Sequence, residues 1–134
     1  MAKKLALVSA IAFILFGVLG FIPNPLISSA TETTLFETDA LHNVVHLLFG
    51  IALLIASSRT NDTARKTLIG SGILYLVLTL AGFIQVGVSG EGMLLGLVHF
   101  NAADNWLHLV LTIGLITAGV VSKVEDITAH PQTL

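Results

Sequence analysis

Residues 39–58 read DALHNVVHLLFGIALLIASS. After Asp39 the run carries no formal charge until Arg59. Its length is that of a helix crossing the hydrocarbon of a bilayer, about 20 residues at roughly 1.5 Å each. Yet His42 and His46 stand one helical turn apart inside it. Three further windows share its apolar character: 4–23, 66–85 and 101–122. The breaks between them suit chain reversals. PNPLISSATETT (23–34) brings prolines and polar residues, SSRTNDTARK (57–66) is a short charged turn, and GVSGEG (87–92) is glycine-rich.

Composition points to the same solvent. Charged residues make up 10% of the 134 residues, hydrophobic ones 54%, and mean hydropathy is +0.93. A soluble domain of this size could not hide that much apolar surface. The fold class is therefore all-α: an integral membrane four-helix bundle, one transmembrane domain over residues 1–134, with the lipid bilayer as its partner. A net charge of −2 gives nucleic acid no footing. The chain has no cysteine, which removes disulfides, thiolate ligands and cysteine nucleophiles together.

The charges sort by side. Lys3, Lys4, Arg59, Arg65, Lys66 and Lys123 all fall at one end of the windows. The opposite end has Glu32, Glu37, Asp39, Glu91 and Asp104 and no basic residue. The positive-inside rule then places both termini and the middle loop in the cytoplasm, with loops 23–38 and 86–100 outside. A bacterial inner membrane, or a thylakoid-type one, suits this arrangement. Lys3, Lys4, the apolar run, Ser28 and Ala30 could also compose a cleaved signal peptide. The run is long for that, and it has a copy further on.

That copy lies 62 residues away. GFI at 20–22 meets GFI at 82–84, Lys3 and Lys4 meet Arg65 and Lys66, and Asp39 meets Asn101. Asn43 meets Asn105, and His46 meets His108. The chain reads as two parallel-repeat helix hairpins, about 3–58 and 65–120, with a tail at 123–134. The implied pseudo-twofold axis runs along the membrane normal. Gly50, Gly70, Gly82, Gly114 and Ala118 are the small residues expected where helices meet.

LHNVVHLLFG (41–50) and NAADNWLHLVL (101–111), with the GFI that ends helices 1 and 3, resemble the signature of domain-of-unknown-function family 4383, a group of small bacterial integral membrane proteins. The resemblance runs from Leu5 to about Val121. It implies a four-span membrane protein and no particular activity.

The polar residues supply the candidate site. Asp39 and Asn101 are placed to cap helices 2 and 4. His46 and His108 follow seven residues on, roughly 10 Å deeper. Ionisable residues at that depth usually face the bundle interior. Residues four apart share a helix face, so His42 pairs with His46 and Asp104 with His108. If both faces turn inward, His42, His46, Asp104 and His108 form a ligand set for Zn²⁺, Fe²⁺ or Cu²⁺, with His99 as an outer ligand. Haem or chlorin ligation by His46 and His108 is a second reading. A third is structural: caps at Asp39 and Asn101, Asp104 in a capping box, and interhelical hydrogen bonds from Asn43, Asn105 and the imidazoles. On that reading the protein is a structural or accessory subunit, in a larger membrane complex or a homo-oligomer. Proton handling fits histidines, but the other halves of the helices offer little beyond Ser9, Ser71, Thr79 and Thr117 to carry protons onward. No nucleophile stands beside a base, so an enzyme is not expected. Trp106 suits an interfacial belt, Tyr75 a packed position with its hydroxyl paired, and MLLGLVHF (93–100) a short interfacial segment. His130 belongs to the polar tail, and the NDT sequon at 61–63 lies on the predicted inner side.

Overall fold

Each of the four windows is a helix in the computed structural model, which describes residues 1–29 and 34–122. The helices are α1 (Ala2–Leu19), α2 (Ala40–Ser58), α3 (Asn61–Gln85) and α4 (Ala102–Val121). All four are long and apolar enough to cross a membrane. The chain is a helical bundle that reads as a multi-pass integral membrane protein. Ala30, Glu32, Lys123 and the tail with His130 lie outside the described residues.

Two helix ends differ from the sequence expectation. α1 stops at Leu19 rather than continuing to Pro23. Pro23 has no N–H and disfavours helical backbone before it. The Asn24 side chain then organises the reversal. Its Nδ2 donates to Leu19 O, Ile22 O and Ile27 O, and its Oδ1 accepts from the amides of Leu26 and Ile27. α3 starts at Asn61, ahead of Lys66, because the Thr60 hydroxyl caps it by accepting from Thr63 N at 3.1 Å. A 2.6 Å ion pair between Asp62 and Lys66 supports that polar first turn. At 25 residues α3 is longer than a bilayer core requires, so this turn can lie at the interface.

The loops contain small sheets. β1 (Ile27–Ser28) and β2 (Phe36–Glu37) pair in parallel; β3 (Glu91–Leu94) and β4 (Val98–Asn101) form an antiparallel hairpin, with Leu94 opposite Val98. MLLGLVHF is thus not an independent interfacial segment. It supplies most of a hairpin whose turn uses positive φ at Leu95 (54°) and Gly96 (68°).

α1 packs most extensively on α2, and α3 on α4. The core is built from Ala2, Ala6, Ala10 and Phe13 of α1, Leu53 of α2, Ala64, Leu68 and Tyr75 of α3, and Leu115 of α4. Small residues at every fourth position let the helices approach closely, and van der Waals packing drives association where lipid is as apolar as leucine. The buried positions follow the 62-residue offset. Ala2, Ala6, Ala10, Phe13 and Gly17 of α1 correspond to Ala64, Leu68, Gly72, Tyr75 and Thr79 of α3. His42, Asn43, His46, Gly50 and Leu53 of α2 correspond to Asp104, Asn105, His108, Thr112 and Leu115 of α4.

The GFI glycines have a packing cause. A Cβ on Gly20 would overlap the Asn43 carboxamide, and one on Gly82 that of Asn105. Gly50 also meets a neighbour closely, Ile14 of α1. Gly70 and Gly114 do not: a Cβ there would meet nothing within 4 Å. They line shallow apolar grooves between α2 and α3 and between α1 and α4.

Candidate functional site

The site is assembled by helix caps. Asp39 caps α2, its Oδ1 accepting from His42 N at 2.7 Å. Its Oδ2 accepts from His99 N at 2.6 Å, so one carboxylate ties β4 to the start of α2. Asn101 and Asp104 form a capping box on α4: Asn101 Oδ1 accepts from Asp104 N at 3.0 Å, and Asp104 Oδ2 accepts from Asn101 N at 3.1 Å. These caps fix where each helix begins, and therefore the depth of the histidines that follow.

His42, His46 and His108 turn inward and are 2–3% exposed. His42 Nδ1 contacts the His99 carbonyl at 3.2 Å. A carbonyl only accepts, so His42 carries its proton on Nδ1 and presents the Nε2 lone pair to the interior. His46 Nε2 lies 3.1 Å from that atom and donates to it. His108 comes across from α4, its ring centroid 5.5 Å from that of His42 and 5.8 Å from that of His46. One ring nitrogen from each of the three histidines lies within 4.8 Å of the others. Aromatic rings wall the cluster. Phe13 and Phe16 of α1 stand against His46, Tyr75 of α3 against His46 and His108, and Phe100 of β4 against His42 and His108.

Hydrogen bonding within this cluster is incomplete. His46 Nδ1 and both ring nitrogens of His108 are buried without a hydrogen-bond partner among the described residues. The Tyr75 hydroxyl reaches only the outer limit of a contact, 3.5 Å from His46 Nε2. A buried polar atom left unpaired costs about 1–3 kcal/mol. Beside the cluster lies a cavity of about 80 Å³ lined by His42, Tyr75, Phe100 and His108 among others.

The other candidates lie around this centre. Asp104 is buried beside it, but its carboxylate is engaged by the backbone of Asn101 and Glu37, and it is not in the three-histidine group. The His99 side chain points away and pairs with Glu37 at 3.4 Å; only its main chain touches His42. Asn43 and Asn105 donate to loop groups, Ser29 Oγ and Gly87 O, rather than to a neighbouring helix. Trp106 is half exposed, its Nε1 donating to Val88 O. Sequence reasoning missed Phe100 and the pairing of Glu37 with His99. It also gave no weight to Phe13, although the offset equates Phe13 with Tyr75, and both pack against His46.

The fold and site together define a class: a small four-helix membrane bundle with three histidines buried at one end. The chain belongs to the family described as a domain of unknown function, DUF4383, which it matches over residues 3–121. No curated protein and no solved structure matches it.

Proposed function

We propose that this protein binds a divalent transition-metal ion through His42, His46 and His108, and serves as an accessory membrane subunit with no catalysis of its own. The supporting observation is the convergence of one ring nitrogen from each of three buried histidines within 4.8 Å, with both nitrogens of His108 unpaired among the described residues. Imidazole suits zinc, copper, iron and nickel, and copper stands highest in intrinsic affinity. Two nitrogens bound to one tetrahedral ion at about 2.0–2.1 Å are about 3.3 Å apart. The Nε2 atoms of His42 and His46 are already 3.1 Å apart. An ion replacing the proton between them needs little movement of α2. A ligating histidine ordinarily donates its other ring N–H to a carbonyl or carboxylate, as His42 does to His99 O. The adjacent cavity, about 80 Å³, lies against His42 and His108. It is small for a macrocycle, which favours the ion over haem or chlorin.

Two further features accompany this reading. The coincidence of buried faces at the 62-residue offset supports a duplicated hairpin with a pseudo-twofold axis along the membrane normal. The charge distribution supports a cytoplasmic middle loop and an outer location for the histidine end.

Zinc titration of the detergent-purified protein by calorimetry tests the function. One ion per chain is expected in the wild type, and none at comparable affinity in His46→Ala/His108→Ala. Unchanged stoichiometry in the double variant would overturn the site.

A further inference from the structure

The three-histidine cluster does not open directly to water. Phe100, 3% exposed, lies with its ring centroid 4.9 Å from those of both His42 and His108. Successive side chains of a strand point to opposite faces. On β4 this sends Phe100 in over the imidazoles and His99 out on the other face. There His99 meets Glu37 of β2, Nδ1 to Oε2 at 3.4 Å, with about a third of each side chain exposed. The pair lies in a polar depression of about 350 Å³ lined also by Thr38 and Asp39. Thr38, only 8% exposed, lines this depression with its Oγ1 unpaired among the described residues. One face of β4 therefore turns His99 toward the Glu37 carboxylate, in the depression that Thr38 also lines. The other carries the ring that covers the buried cluster.

We propose that the Glu37–His99 pair is the loading site for the buried cluster. A hydrated divalent cation exchanges water for the Glu37 carboxylate and the His99 imidazole, with Asp39 adding negative charge. It moves on to His42, His46 and His108 when the β3–β4 hairpin lifts Phe100. Three connections make the two sites contiguous. The His99 carbonyl holds His42 Nδ1, Asp39 bridges the amides of His42 and His99, and Phe100 is the next residue along β4. Two side-chain ligands and open access suit transient capture; three buried imidazoles suit retention. Carboxylates at the mouth of a site raise the capture rate of cations, by about 10-fold to 1,000-fold in strongly focused cases. This inference rests on the metal-binding reading.

The test is stopped-flow Zn²⁺ uptake by the detergent-purified full chain, with a fluorescent chelator as reporter and equilibrium titration alongside. Glu37→Gln/His99→Asn is expected to slow uptake by about 10-fold or more, with equilibrium affinity within about twofold of wild type. Phe100→Ala is expected to accelerate uptake and release together, and it reports independently should the double variant fold poorly. Unchanged uptake in the double variant of a protein that binds zinc would overturn the loading site and leave the buried cluster standing. Rate and equilibrium affinity falling equally would also overturn it, since Glu37 and His99 would then support the cluster itself. A wild type that takes up no zinc would overturn both.

Discussion

Replacing His108 with leucine separates a metal-binding histidine from a structural one. Both ring nitrogens of His108 are buried and unpaired among the described residues, so the metal-free protein retains their desolvation penalty, about 1–3 kcal/mol for each atom. Leucine has no polar atom to desolvate. Membrane-embedded polar groups find partners in the unfolded state as well, and interhelical hydrogen bonds average only about 0.6 kcal/mol in one well-measured case, which trims the difference. The expected result is that His108→Leu stabilises the metal-free protein by about 1–2 kcal/mol. Zinc reverses the order. An ion that binds only the folded state adds about 2.7 kcal/mol at 100 times Kd, and the variant gains none of it. A deficit of about 1.5 kcal/mol is cancelled at roughly ten times Kd, where the two stabilities cross. The assay is reversible SDS unfolding in mixed micelles, followed by circular dichroism, with chelator and across a zinc series. A metal-free variant less stable than wild type by about 1 kcal/mol or more would mean that His108 makes hydrogen bonds the fold needs. Wild-type stability unmoved by zinc would refute the reasoning from the other side.

Two other outcomes are expected. Gly82→Ala drives a Cβ into the Asn105 carboxamide and should destabilise by about 1–3 kcal/mol in the same unfolding assay, with partial recovery in Gly82→Ala/Asn105→Ala. The chain has no cysteine, so Asn61→Cys and Ser89→Cys can each be labelled alone with a membrane-impermeant maleimide in intact cells. Ser89→Cys should react and Asn61→Cys should not, if the histidine end faces outward.

The helices were legible because membrane spans are long and the hydropathy signal accumulates over each window. The caps at Asp39 and Asn101 were legible because Asx residues preceding apolar runs have few other roles. Spacing alone put His42 and His46 on one face. Failures came where a short segment allowed more than one structure. GFIP looked like the end of an apolar helix until the side chain of Asn24, engaged with backbone from Leu19 to Ile27, made it a reversal. MLLGLVHF is too short for its period to separate an interfacial segment from a strand, and it folds back on itself with Met93 opposite His99 and Leu94 opposite Val98. Gly70 and Gly114 looked like contact residues, but small size does not say which side of a helix meets a neighbour. Asp104 is the instructive case. Four-residue spacing made it a ligand candidate beside His108, but third position in a helix gave it a competing use, and the capping box took it.

The positions where the halves differ account for the composition of the site. At the 62-residue offset His42 corresponds to Asp104, and Glu37 to His99. The structure brings His42 to the main chain of His99, and Asp104 to the main chain of Glu37. A strictly symmetric chain would bring either four histidines inward or two histidines and two carboxylates. Four imidazoles can close a tetrahedral shell, which is the mark of a structural ion. Three leave one coordination position open, as ions that exchange or carry a water require. Under the proposed duplication, the change at position 104 moves a carboxylate into the cap of α4 and opens the fourth position. The matching change puts His99 beside Glu37 at the mouth. Returning Asp104 to histidine should then close the shell. The Asp104→His protein should hold zinc more tightly and release it more slowly than wild type in chelator competition, at a cost of about 1 kcal/mol from the lost cap. Faster release from that variant would break the link between the asymmetry and the open position.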